Sequence, residues 1–105
     1  MLGGKIRPGT TPTHIFNIPI DASYVEEVKI IYLQKNKEIL LKRKEDCELV
    51  GSQIIVKLTQ EETFVFTPGE KIKISLRLLI NNGEVLSADP IIVSVDECLD
   101  REVLA

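Results

Sequence analysis

One histidine, His14, and two cysteines, Cys47 and Cys98, are the residues of this chain best suited to nucleophilic or metal chemistry. A single imidazole leaves no histidine pair to share a metal ion or relay a proton. His14 also alternates with Phe16 and Ile18, the spacing of one face of a strand, so its expected role is that of a partly buried strand histidine. A Cys–His nucleophilic pair would require Cys47 or Cys98 to meet His14 in space, and nothing in the spacing argues for that. Carboxylates cluster at Glu45-Asp46-Glu48, at Glu61-Glu62 and at Asp96-Glu97. None of these has the ligand spacing of a calcium loop, and they read as solvated turn charges. Phosphate-cradling loops are absent: Gly3-Gly4 precedes no strand-to-helix junction, and Pro68-Gly69-Glu70-Lys71 lacks the glycine spacing. Paired carboxylates for sugar hydrolysis would need an aromatic-lined cleft, which five aromatics are few to build. The expectation is a protein with no catalytic, metal or cofactor site.

Binding chemistry offers more. Lys35, Lys37, Lys42, Arg43 and Lys44 form a basic hairpin, but without interleaved aromatics apart from Tyr32 it lacks a platform for stacked bases. It reads instead as a charged tip that discourages edge-to-edge pairing. Tyr24 and Tyr32 are the aromatics that could contact a ligand such as a carbohydrate or cell-wall polymer. Leu33, Leu40, Leu79, Leu86 and Ile92 sit on the less certain faces of predicted strands and are candidates for an apolar interaction patch. Leu99 and Leu104 extend that candidate set into an acidic tail.

The elements that must position these residues are strands. From Lys71 to Ile80, Ile72, Ile74, Leu76, Leu78 and Ile80 alternate with Lys71, Lys73, Ser75 and Arg77, placing one apolar row against a core and one polar row in water. Asn81-Asn82-Gly83 tolerates positive φ and reverses the chain, and Ile91, Val93 and Val95 continue the alternation on a return arm from Glu84. This long hairpin needs other strands to cover its apolar face. Upstream, strands are predicted over 13–18, 27–34, 38–43, 48–50 and 53–58. Residues 27–34 are apolar on both faces, as in a strand covered on both sides. Thr59 and Glu62 form a capping box, predicting one helical turn near 59–63. Phe64 and Phe66 follow at strand spacing. About seven short strands with turn residues between them is the pattern of a β-sandwich over 13–95. It is flanked by a weakly ordered extended arm at 1–12 and the acidic tail at 96–105.

A chain of 105 residues is one domain by size and can bury roughly two-thirds of its unfolded surface. Trp is absent, so the core must be built from Ile, Leu and Val. The net charge of −3 argues mildly against nucleic acid or an anionic membrane as partner. There is no apolar run of membrane-spanning length and no secretory signal behind Lys5 and Arg7, so the chain reads as cytosolic or assembled from the cytosol. Cys47 and Cys98 match the sequence separation of the disulfide in antibody domains, but without a buried Trp or a secretion signal they are expected to be reduced thiols.

The order of these segments carries a resemblance. It begins with Gly9-Thr10-Thr11-Pro12, Thr13-His14-Ile15-Phe16 and Pro19-Ile20-Asp21. It continues with strands at Val28–Gln34 and Ile54–Leu58, and is sharpest in the turn Leu58-Thr59-Gln60-Glu61-Glu62-Thr63. From about Gly9 to Val95 the chain resembles the small immunoglobulin-like domains of phage and prophage tail or baseplate proteins of Gram-positive bacteria. It is similar in plan to the N-terminal domain of baseplate upper proteins and to short clostridial-type prophage proteins. The resemblance implies an immunoglobulin-like antiparallel β-sandwich with a structural role and no catalytic or binding residues to carry over. This sequence ends at Ala105 without the long C-terminal extension of baseplate upper proteins. The implied partners are therefore copies of itself or other tail and virion proteins, with a cytoplasmic location before assembly and the virion after it.

Overall fold

A computed structural model describes residues 2–97 and 99–104. The hairpin expected over 71–95 is there. Strand β7 (Lys71–Ile80) runs into a turn closed by Gly83 N–H on the Ile80 carbonyl at 2.9 Å, with Gly83 at φ +89°. The return arm follows the same edge of β7 as two pieces, β8 (Val85–Ser87) and β9 (Ile91–Val95). The pairing register moves by one residue between them, because Arg77 faces Ser87 whereas Ile74 faces Ile91. Pro90 has no N–H to give a ladder, so the arm that the sequence reads as continuous is broken at 88–90.

The other edge of β7 carries β3 (Val25–Gln34), which in turn pairs β4 (Lys37–Arg43) through a two-residue turn. Lys35 and Asn36 both take positive φ there, 52° and 60°, as a turn matching the strand twist requires. A smaller sheet is built from β2 (Thr13–Asn17), β5 (Cys47–Val50) and β6 (Gln53–Lys57) in the order β2-β6-β5. Val28, Ile30 and Tyr32 of β3 and Ile72, Ile74, Leu76 and Leu78 of β7 face Phe16, Ile54 and Val56 across one apolar core.

Three expectations are corrected. The arm at 1–12 is not weakly ordered throughout: β1 (Leu2–Ile6) adds to the large sheet, parallel to β9, with Ile6 fully buried. The large sheet is therefore mixed, in the order β1-β9-β7-β3-β4, rather than wholly antiparallel. Strand β3 is covered on one side only. Ile31 and Leu33 on its outer face are half-buried by cross-strand neighbours, Leu41 and Ser75 in one row and Glu38 and Lys73 in the next. Finally, Phe64 and Phe66 do not lie on a strand. They end the short helix α1 (Gln60–Thr63), where the Phe64 and Val65 amides still donate to the Glu61 and Glu62 carbonyls. Phe66 then enters the core beside Tyr32, ring centroids 5.8 Å apart.

Candidate interaction surfaces

The chemistry-bearing side chains converge at one end of the sandwich. Val56 of β6 pairs with His14 on one side and Cys47 on the other, so the three form one row of the small sheet facing the core. Two strand spacings, about 10 Å, thus separate the backbone of His14 from that of Cys47. They are not a nucleophile and its base. His14 Nδ1 instead shares a 2.8 Å hydrogen bond with the hydroxyl of Tyr32, whose side chain is fully buried. Burial lowers the His14 pKa, and burial together with the charges of Cys47 and Glu62 raises that of Tyr32. Cys47 donates its S–H to the Arg43 carbonyl at 3.3 Å, and its pKa is pushed up to about 11 by burial and then by Asp46. That is the opposite of an activated thiol. Cys98 lies outside the described residues.

Beside this row Lys42, buried on β4, ion-pairs with Glu62, which also receives the Thr59 amide at 2.8 Å in the capping box. Burial raises the Glu62 pKa, but the Lys42 and Thr59 hydrogen bonds outweigh it and the net shift is downward. Among the described residues no buried side-chain nitrogen or oxygen lacks a partner, and no three of His, Cys, Asp and Glu come together as metal ligands. The cluster closes the sandwich end. Two consequences are measurable. Both lowered values, of His14 and Glu62, mean that protonation favours the unfolded chain. The stability they give is full above their ordinary values of 6.5 and 4.5, and falls as pH drops through the folded ones. Glu62→Ala is expected to cost about 2–3 kcal/mol in urea unfolding at neutral pH and to flatten the acid limb below pH 4.5. An acid limb unchanged in the variant would contradict this assignment.

The predicted basic hairpin is dispersed. Lys42 is buried, Lys35 pairs with Glu70 at 2.8 Å, and Lys44 Nζ donates to the Val25 carbonyl at 2.9 Å. Arg43, and Lys35 at the far end, border a different, larger feature. On the outer face of the large sheet Arg43 pairs across to Lys29, and Lys29 across to Arg77, so three cations form one ladder row. They line a shallow hollow of about 310 Å³ together with Glu27, Leu79 and Val85. Farther along the same face Lys71 and Lys73 flank a second hollow, about 270 Å³, whose apolar floor is Leu33 and Ile92. The alternation over Lys71–Ile80 announces Lys71, Lys73 and Arg77 on this face, but Lys29 and Arg43 join them only through strand pairing.

The candidate apolar patch is divided accordingly. Leu40 and Leu86 pack against the core from the inner face, a correction to their placement as surface contacts. Leu33, Leu79 and Ile92 do lie outside, but Lys73 beside Leu33 and Ile92 is six positions from Leu79, or about 20 Å of strand. They make two apolar spots set among cations. Of the two tyrosines, Tyr32 is corrected to a core residue, and Tyr24 stands 53% exposed on a short 3-10 turn. Among the described residues the ring contacts of Tyr32 are with His14 and Phe66, so the two tyrosines do not form a pair.

The tail is fastened to its own chain. Gln60 of α1 exchanges two hydrogen bonds with the backbone of Leu104, at 2.7 and 2.8 Å. The Arg101 guanidinium lies 4.9 Å from the Phe64 ring centroid and donates to the Phe64 carbonyl at 3.1 Å. These polar contacts leave Leu99 95% and Leu104 67% exposed, with Val103 partly so.

No family model and no curated protein sequence matches the chain. Solved structures do. The extracellular domain of mouse leukocyte-associated immunoglobulin-like receptor 1, seen as a strand-swapped dimer, is similar at a TM-score of 0.54 and 10% identity, over 90% of this chain and 87% of that one. CopC from Methylosinus trichosporium OB3b is similar at 0.52 and 12% identity, over 93% and 91%. The fold is immunoglobulin-like. The sheet order agrees: β9-β7-β3-β4 on one side and β2-β6-β5 on the other is the two-sheet arrangement of such sandwiches. At these identities the likeness concerns the fold alone.

Proposed function

We propose that this chain is a non-enzymatic assembly protein that works through protein–protein contacts, as a component of a phage or prophage tail or baseplate. The carrying observation is the segment at 99–104. It is held on α1 by hydrogen bonds, yet it exposes Leu99, Val103 and Leu104, an arrangement suited to presenting apolar side chains to another subunit. The sandwich-end cluster supports the same reading, since it keeps its thiol and phenol protonated and its ion pair satisfied. The tail or baseplate setting rests on the resemblance carried by Leu58–Thr63 and the strands around it. In that setting the protein is made in the cytoplasm and ends in the virion, with copies of itself or other tail proteins as partners. Light scattering over a concentration series tests the self-assembling form. The expected result is a defined multiple of the 11.8 kDa monomer. A monomer at every concentration would overturn it.

A further inference from the structure

We propose that copies of this chain join head to tail, the C-terminal segment 96–104 of one copy lying on the cationic outer face of the large sheet of the next. This rests on the assembly reading above and names the two surfaces it uses. Arg43, Lys29 and Arg77 stand directly opposite one another in the ladder, an arrangement of like charges that costs stability in an isolated domain. Among the described residues Glu27, at one end, and Glu38, opposite Leu33, stand in the ladder rows of this face, and Glu26 and Glu45 line an adjoining hollow with Arg43. Carboxylates thus gather at the Arg43 end, whereas the hollow flanked by Lys71 and Lys73 has none in its lining and is positive on a chain whose net charge is −3.

The tail complements that face in two ways. Glu97 and Glu102 supply exposed negative charge, and Leu99 and Leu104 supply exposed apolar side chains between and beside them. The face offers an apolar floor at Leu33 and Ile92 with Lys71 and Lys73 on its rim. A two-fold contact of this face with itself would set cation against cation, so the join uses two different surfaces. A contact of that kind closes into a ring or continues as a filament.

A charge-swap experiment tests this with the full chain. Lys71→Glu with Lys73→Glu makes one variant, and Glu97→Lys with Glu102→Lys makes the other. All four positions are exposed, and matching thermal melts confirm that both variants fold. Light scattering at low ionic strength, where surface charge is least screened, reads the mass. The expected result is a multimeric wild type, each variant alone at the 11.8 kDa monomer mass, and recovery of assembly in an equimolar mixture. Variants that assemble as the wild type does would overturn the surface assignment and leave the assembly reading standing. A wild type monomeric at all concentrations would overturn both the surface assignment and the self-assembling form of that reading. If that monomer bound heparin, and the Lys71/Lys73 variant did not, the face would belong to a polyanion instead.

Discussion

Replacing Tyr32 by alanine is expected to lower the unfolding free energy by about 4 kcal/mol, the upper part of the range for a large buried side chain. Tyr32 is fully buried, stacks obliquely on Phe66, and lies 5.6 Å, centroid to centroid, from His14. Truncation would open a cavity between the two sheets and leave the His14 Nδ1 atom without its partner. Tyr32→Phe separates the two effects. It keeps the ring and removes only the 2.8 Å hydrogen bond, for an expected cost of about 1 kcal/mol. Urea unfolding of the three proteins checks this. A phenylalanine variant as unstable as the alanine one would mean that the hydrogen bond, not packing, dominates.

Ile6→Ala is expected to cost about 3 kcal/mol, as for other fully buried aliphatic side chains. Ile6 is where the N-terminal segment enters the core, and its carbonyl accepts the Asp96 amide at 2.9 Å. Lys5 and Arg7 on either side reach the Asp96 carboxylate at 3.7 and 3.1 Å, which holds the start of the tail as well. Those exposed ion pairs add little by themselves. A loss below about 1 kcal/mol would contradict the docking of β1 as a sixth piece of the large sheet.

The strand that sequence periodicity missed is the one with the least periodicity. Leu2-Gly3-Gly4-Lys5-Ile6 contains two glycines and no alternation long enough to register, and it is held by a parallel pairing to β9 at the far end of the chain. Local pattern cannot reveal that partner. Where alternation is long, as in Lys71–Ile80, and where a turn or cap depends on adjacent residues, as at Asn81–Gly83 and Thr59–Glu62, the sequence is enough. Phe64 and Phe66 mislead because two residues at strand spacing also fit the end of a helical turn. The candidate interaction surfaces are legible only in pieces. Leu33, Ile92, Leu99 and Leu104 could be singled out as unassigned apolar residues. The cationic ladder could not, because Lys29, Arg43 and Arg77 become neighbours only through strand pairing.

In the proposed assembly two separate surfaces of this sandwich meet when copies associate. Backbone amide NMR spectra of the labelled full chain, followed as unlabelled wild-type protein is added, test it most directly. The expected result is shifts in two disjoint sets, one around Leu33, Lys71, Lys73 and Ile92 and one along residues 96–104, with Thr13–Asn17 of the small sheet unmoved. Shifts confined to one of those sets, or centred on the small sheet, would contradict it.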